Sequence, residues 1–193
     1  MNVLLWLLYF IPALAIELIC YLLAPIVACF VTSRLRTDYV KRWRVEAGTF
    51  RDYIITPLYW FQTHDNAVDE WWYGMYNTDH WFAFARAWTQ SDYDRSALIR
   101  YYCRLMWLWR NCAYGFHYAL FSRPKETASR VYSKGLEGVG FWYELKLFKS
   151  SFQFECQVPL GARYLTINIG WKAHKQTNRL LYANRVIGFR KYK

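Results

Sequence analysis

Hydrophobic and polar positions divide the chain into three regimes. From Val3 to Val31 the sequence "VLLWLLYFIPALAIELICYLLAPIVACFV" is apolar on every side of any helix, with Glu17 as its one charged residue. A bilayer core of ~30 Å is crossed by about 20 apolar helical residues, so this run is longer than a simple span needs. Tilt, or kinks near Pro12 and Pro25, would absorb the excess; a helical hairpin that dips into one leaflet and returns is the other solution. Residues 1–33 are therefore expected to be a membrane anchor.

The second regime, residues 34–122, opens with a basic juxtamembrane segment and then loses any sustained period. Gly48, Thr56-Pro57 and Gly74 punctuate a stretch crowded with Trp, Tyr and Phe. Short helical turns are expected near Tyr53–Phe61 and Trp81–Trp88, packed by their own rings. One clear helix comes next in "SDYDRSALIRYYCRLMWLWRN". Ser91 or Asp92 is placed to cap it, and Leu98, Leu105, Met106, Leu108 and Trp109 recur at helical spacing. Its apolar face either packs on a core or lies on a membrane with the arginines toward phosphates.

In the third regime, residues 123–193, the period becomes two. Phe152, Phe154, Cys156 and Val158 face one way, and Gln153, Glu155 and Gln157 the other. Leu165, Ile167, Ile169 and Trp171 alternate in the same manner. With Phe141–Lys149 and Leu180–Arg190 this makes about four strands of an antiparallel meander. "GLEGVG" (Gly135–Gly140) precedes a strand, so it reads as a turn rather than a phosphate loop, which would precede a helix. The expected fold is α+β: an N-terminal membrane helix or helical hairpin, an aromatic-rich helical middle, and a C-terminal β-meander packed with the middle as one domain.

Charge sharpens this picture. The formal net charge is +11, no Lys or Arg occurs before Arg34, and residues 123–193 hold 14 basic against 4 acidic side chains. Arg34, Arg36, Lys41, Arg42 and Arg44, with Trp43 among them, directly succeed the apolar run. They are the expected lipid-facing residues, drawn to anionic headgroups. The positive-inside rule puts the rest of the chain, from Arg34 onward, on the cytoplasmic side. Five scattered cysteines with no CxxC pair fit reduced thiols in such a compartment. A lipobox-like "IVAC" ending at Cys29 would instead mark lipoprotein processing and invert the topology, but it lacks the basic residues that normally precede one. Glu17, deep in the run, serves either a proton or ion pathway or a helix–helix contact.

Chemistry is sparse. Nucleotide-binding, serine-hydrolase and zinc-protease motifs are absent from the sequence, and no cofactor or metal is expected. The densest polar cluster is "WFQTHDNAVDEWW" (Trp60–Trp72), with Asp79 and His80 beyond it. Asp65, Asn66 and Asp69 are the catalytic candidates. The competing reading is an Asx turn at Asp65-Asn66 pinned by tryptophans. The basic sheet, with aromatics among its lysines and arginines, leaves nucleic acid open as a partner.

Together "WFQTHDNAVDEWW", "WLWRNCAYGF" (Trp107–Phe116) and "YLTINIGWK" (Tyr164–Lys172), after an apolar N-terminus ending "LLAPIVA", resemble a family of small uncharacterised proteins encoded by tailed bacteriophages. His64, Glu70 and Cys112 depart from that family's usual Pro, Gly and Pro, whereas Asp65, Asn66 and Asp69 match it. A His64-based site is therefore not a shared function. The resemblance implies a phage gene product at the host bacterial inner membrane, with its C-terminal domain cytoplasmic. It would be an accessory protein binding anionic lipid or a host or phage protein. The alternatives are a virion component with a membrane-active segment, or an enzyme built on the Asp65–Asp69 loop.

Overall fold

The computed structural model describes residues 3–35, 50–62, 68, 90–161, 163–173 and 178–191. The fold is α+β, with an apolar N-terminal helix, a short helical middle and a six-stranded antiparallel sheet. The apolar run is one helix, α1 (Val3–Val27), rather than a hairpin. Pro12 removes one backbone donor without breaking it. The chain divides into two compact units, one of residues 1–15 and 117–193, the other of residues 16–116. The division falls inside α1, whose first half belongs to the sheet unit and whose second half to the helical unit.

In the sheet unit the strands are β3 (Arg123–Pro124), β4 (Arg130–Leu136), β5 (Val139–Leu147), β6 (Phe152–Leu160), β7 (Arg163–Ala173) and β8 (Arg179–Lys191). Their spatial order is β3-β8-β7-β6-β5-β4. Apart from β3 they succeed one another as a meander, as the period-two pattern predicts. Register keeps the two faces apart: Phe152 lies opposite Leu147 and Trp171 opposite Tyr182, while Glu155 lies between Glu144 and Asn168. Trp171 is fully buried and its indole N–H donates to the Phe121 carbonyl at 3.0 Å. Its ring meets Phe152 and Tyr182 edge-on. Gly170 before it has φ +98°, and a Cβ there would collide with the Phe152 carbonyl, so only glycine fits.

The first half of α1 completes this core. Trp6 donates from its indole to the Ala183 carbonyl at 3.0 Å, and the Tyr182 hydroxyl donates to the Trp6 carbonyl at 3.1 Å. Tyr9 packs its ring on Phe121 and Tyr182. At the far edge, β4 is exposed along its whole length. Lys134 and a register shift between Lys134 and Leu136 blunt it against pairing with another strand.

The helical unit is built on the second half of α1, a two-stranded antiparallel sheet of β1 (Val31–Leu35) and β2 (Phe50–Ile54), a 3₁₀ turn at Thr56–Phe61, α2 (Gln90–Arg95) and α3 (Ala97–Arg110). The predicted single helix from Ser91 is two. The Ser96 side chain accepts from the Ile99 N–H at 3.3 Å and starts α3, so the effective cap of the long helix is Ser96 rather than Ser91 or Asp92. Ala24, Val27, Ile54, Val68, Met106 and Trp107 form the heart of this core. The Tyr101 hydroxyl, the Trp109 indole and the Cys112 thiol donate to the carbonyls of Pro25, Tyr21 and Glu17 at 3.1, 3.1 and 3.2 Å. The descending order of those acceptors shows α3 running antiparallel to α1.

Candidate functional site

The most concentrated polar arrangement among the described residues lies in the helical unit. Asp52 sits on β2, Tyr93 on α2 and Arg104 on α3. A single carboxylate oxygen, Asp52 Oδ2, accepts from the Tyr93 hydroxyl at 2.5 Å and from the Arg104 guanidinium at 2.6 Å. Arg104 Nε also donates to the Tyr93 hydroxyl oxygen at 3.1 Å, with its guanidinium 5.9 Å from that ring's centre. Burial opposes the Arg104 charge, but attraction from Tyr93 and the hydrogen bond and charge of Asp52 outweigh it, so its pKa is raised above the ordinary guanidinium value. The side chains of Arg104 and Asp52 are only 15% and 17% exposed. Shielded pairing of this kind gives charge-assisted bonds of about 1.5–3 kcal/mol. Its chemistry is that of a clamp tying strand β2 to both helices: one carboxylate oxygen shared by a cation and a phenol.

The acidic stretch backs onto this clamp at one point. Val68 is fully buried, and its N–H donates to the Asp52 carbonyl at 2.8 Å. At the start of the stretch, Gln62 is buried and its amide oxygen accepts from the Ile54 N–H at 2.8 Å. Trp60 and Phe61 meet the Phe116 ring edge-on at 5.5 and 5.2 Å. Gly115 lies so close to the Trp60 and Gln62 carbonyls that a Cβ would clash with both. The beginnings of "WFQTHDNAVDEWW" and the end of "WLWRNCAYGF" are thus packed together, and "GWK" places Trp171 in the sheet core. The described residues of these strings hold the fold.

The expected site residues fall into two groups. Asp65, Asn66 and Asp69, with His64, Glu70, Asp79 and His80, lie outside the described residues, as do Arg36, Lys41, Arg42, Trp43 and Arg44. Arg34 is exposed on β1 and donates to the Thr56 hydroxyl at 3.1 Å. Glu17 is half-buried on α1. Among the described residues no group of three or more His, Cys, Asp or Glu could hold a metal ion. Arg104 lies one helical turn from Arg100, on a face of α3 other than its apolar one. Asp52 carried no signal, because it stands alone in an aperiodic segment 52 positions upstream.

A second buried polar group is His117 in the sheet unit, between the Phe121 and Tyr182 rings. Burial lowers its pKa to about 4, against the opposing effect of a hydrogen bond to the Ala13 backbone. It is a neutral core histidine. The acids of this unit are largely engaged from within. Glu126 accepts from Ser150, Glu144 pairs with Lys146 at 2.6 Å, and Glu155 pairs with Lys172 at 3.1 Å. Lys125, Arg130, Lys134, Lys149 and Arg163 stand exposed, so the sheet unit presents a positive surface.

The remaining candidate surface is α1 itself, the one helix among the described residues long and apolar enough to cross a membrane. Its buried positions, Trp6, Ala13, Cys20, Ala24 and Val27, fall on one side. Leu4, Leu8, Ile11, Leu18, Leu22 and Ile26, each at least 59% exposed, run down the other at intervals of three, four and seven residues. A family model described as "Family of unknown function (DUF7338)" matches residues 1–190.

The chain belongs to this family.

The match runs through α1, the clamp and the sheet alike. No curated protein and no solved structure matches the chain.

Proposed function

We propose that this chain is a membrane-associated accessory protein, encoded by a tailed bacteriophage and working at the inner membrane of the infected cell. It binds rather than catalyses: α1 supplies the attachment, and the basic sheet unit faces anionic headgroups or an acidic protein surface on the cytoplasmic side. The observation that carries this reading is the exposed side of α1. A helix apolar all round belongs in an apolar environment, yet ten Leu and Ile side chains of α1 remain exposed in the folded chain. Water is an unfavourable neighbour for so long a row, at roughly 25 cal/mol per Å². The net charge of +11 adds long-range attraction to anionic lipid. The clamp at Asp52, Tyr93 and Arg104 supports a structural rather than a catalytic use of the helical unit.

Fractionation of infected cells tests the location. The chain is expected in the inner-membrane fraction, and recovery in the soluble fraction would overturn the membrane reading. Mass spectrometry of purified particles tests whether it is instead carried in the virion. Abundant chain in washed particles would replace the host-membrane role with that of a virion component.

A further inference from the structure

The geometry points to each half of α1 lying in the plane of one leaflet, its Leu/Ile side in the acyl region, rather than crossing the bilayer. This rests on the membrane reading above and says how the attachment is made. Each half of α1 has one side held by protein. In the sheet unit, Trp6 exchanges two hydrogen bonds with Tyr182 and Ala183 on β8. In the helical unit, the carbonyls of Glu17, Tyr21 and Pro25 accept from Cys112, Trp109 and Tyr101.

A helix crossing the bilayer would carry those neighbours with it. Beside its first half that means sheet backbone; beside its second half it means α3, with the ion-paired Arg104. Taking an open sheet and charged side chains into hydrocarbon costs several kcal/mol for each unsatisfied group. An in-plane helix asks for no such transfer. Each half sinks its open side about 5–10 Å below the headgroups and leaves its protein side where it is. The side chains bordering the second half agree. Trp109 and Tyr101 are half-exposed aromatics with one polar atom each, the kind enriched at the water–lipid boundary. Small residues on the inward side (Ala13, Cys20 and Ala24, all buried) bring protein close, and large aliphatics are confined to the outward side.

The test is a depth scan on the full chain in vesicles of mixed phosphatidylglycerol and phosphatidylcholine. Cys29 and Cys112 are replaced by Ser, leaving buried cysteines in place, and a nitroxide is attached to one introduced cysteine at a time: Leu4→Cys, Ile11→Cys, Leu18→Cys or Ile26→Cys. Relative accessibility to oxygen and to a water-soluble nickel complex gives depth. The expected result is the same shallow depth at Leu4 and Ile11, and the same shallow depth at Leu18 and Ile26. Two outcomes overturn the in-plane seating while leaving membrane attachment intact: a gradient with Ile11 and Leu18 deepest and the end labels in water, or labels in water on chains that still float with vesicles. Spin–spin broadening between copies, with neither reagent reaching the label, would make this side a self-association surface and overturn the proposal. Wild-type chain that fails to float at all sinks the membrane reading along with it.

Discussion

The two sides of α1 are both largely apolar but differ in what they meet. The inward side carries Trp6, Ala13, Cys20, Ala24 and Val27, each at most 8% exposed, and the outward side carries ten exposed Leu and Ile. They do different work. The inward side is a packing surface, where an added methylene must displace a neighbour. The outward side is exposed among the described residues and tolerates a wider range of side chains. Apolar composition therefore says that a helix avoids water, while the small Ala13, Cys20 and Ala24 mark where protein packs against it. Deletion of α1 is for that reason a poor test of attachment, because it would open the cores of both units as well.

Substitutions on the outward side should have the largest effect on attachment. Leu8→Gln/Ile11→Gln/Leu18→Gln removes three aliphatics worth roughly 1.5–3 kcal/mol each on burial. Vesicle affinity measured by flotation should fall at least about 100-fold, with the urea midpoint unchanged or raised. A large loss of stability would mean that this side packs on protein.

Acid acts on the inward side. The folded pKa of His117, about 4, lies below its ordinary 6.5. Between those values the unfolded chain binds the extra proton more readily, so stability is intact above about 6.5 and lost as pH falls toward 4, by up to about 3 kcal/mol. Unfolding of wild-type and His117→Phe chains across that window checks it; equal slopes would remove His117 from the core. Ala24→Leu overpacks the inward side and should cost about 1–3 kcal/mol with unchanged vesicle affinity of the folded chain, read by urea titration beside flotation. Smallest is the clamp, which holds α3 where Tyr101 and Trp109 reach α1. A double-mutant cycle of Asp52→Asn and Arg104→Met should give a coupling of about 1–2 kcal/mol, and additivity would mean the pair is incidental.

The sheet was legible in the sequence because apolar and polar residues alternate along β6 and β7, although the fold buries Gln153, Gln157 and Thr166 of the polar register as well. β4 was missed for the converse reason. It is exposed on both faces, so its sequence "RVYSKGL" carries no alternation to read. The break between α2 and α3 was hidden because Ser91, Asp92 and Ser96 all offer capping oxygens, and only the fold decides which is used. Strands β1 and β2 were invisible in a basic, aperiodic stretch. Arg34, expected only to face lipid, also hydrogen-bonds Thr56. The string Trp60–Trp72 singles out Asp65, Asn66 and Asp69, whereas Gly115, Phe116, Gly170 and Trp171 in its companion strings are packing positions. The clamp joins residues from three elements, and no local pattern announces such a meeting.

The central claim is that α1 attaches the chain to lipid through its outward side. Flotation of the purified full chain with anionic vesicles, then a wash at about 1 M salt, tests it most directly, because at that ionic strength the Debye length is only ~3 Å and purely electrostatic attachment is screened. The expected result is that the chain stays with the vesicles through the wash, and that zwitterionic vesicles also retain it, though less efficiently at low salt. Complete release by salt, or binding to anionic vesicles alone, would contradict the claim and leave the basic sheet unit as the sole membrane contact.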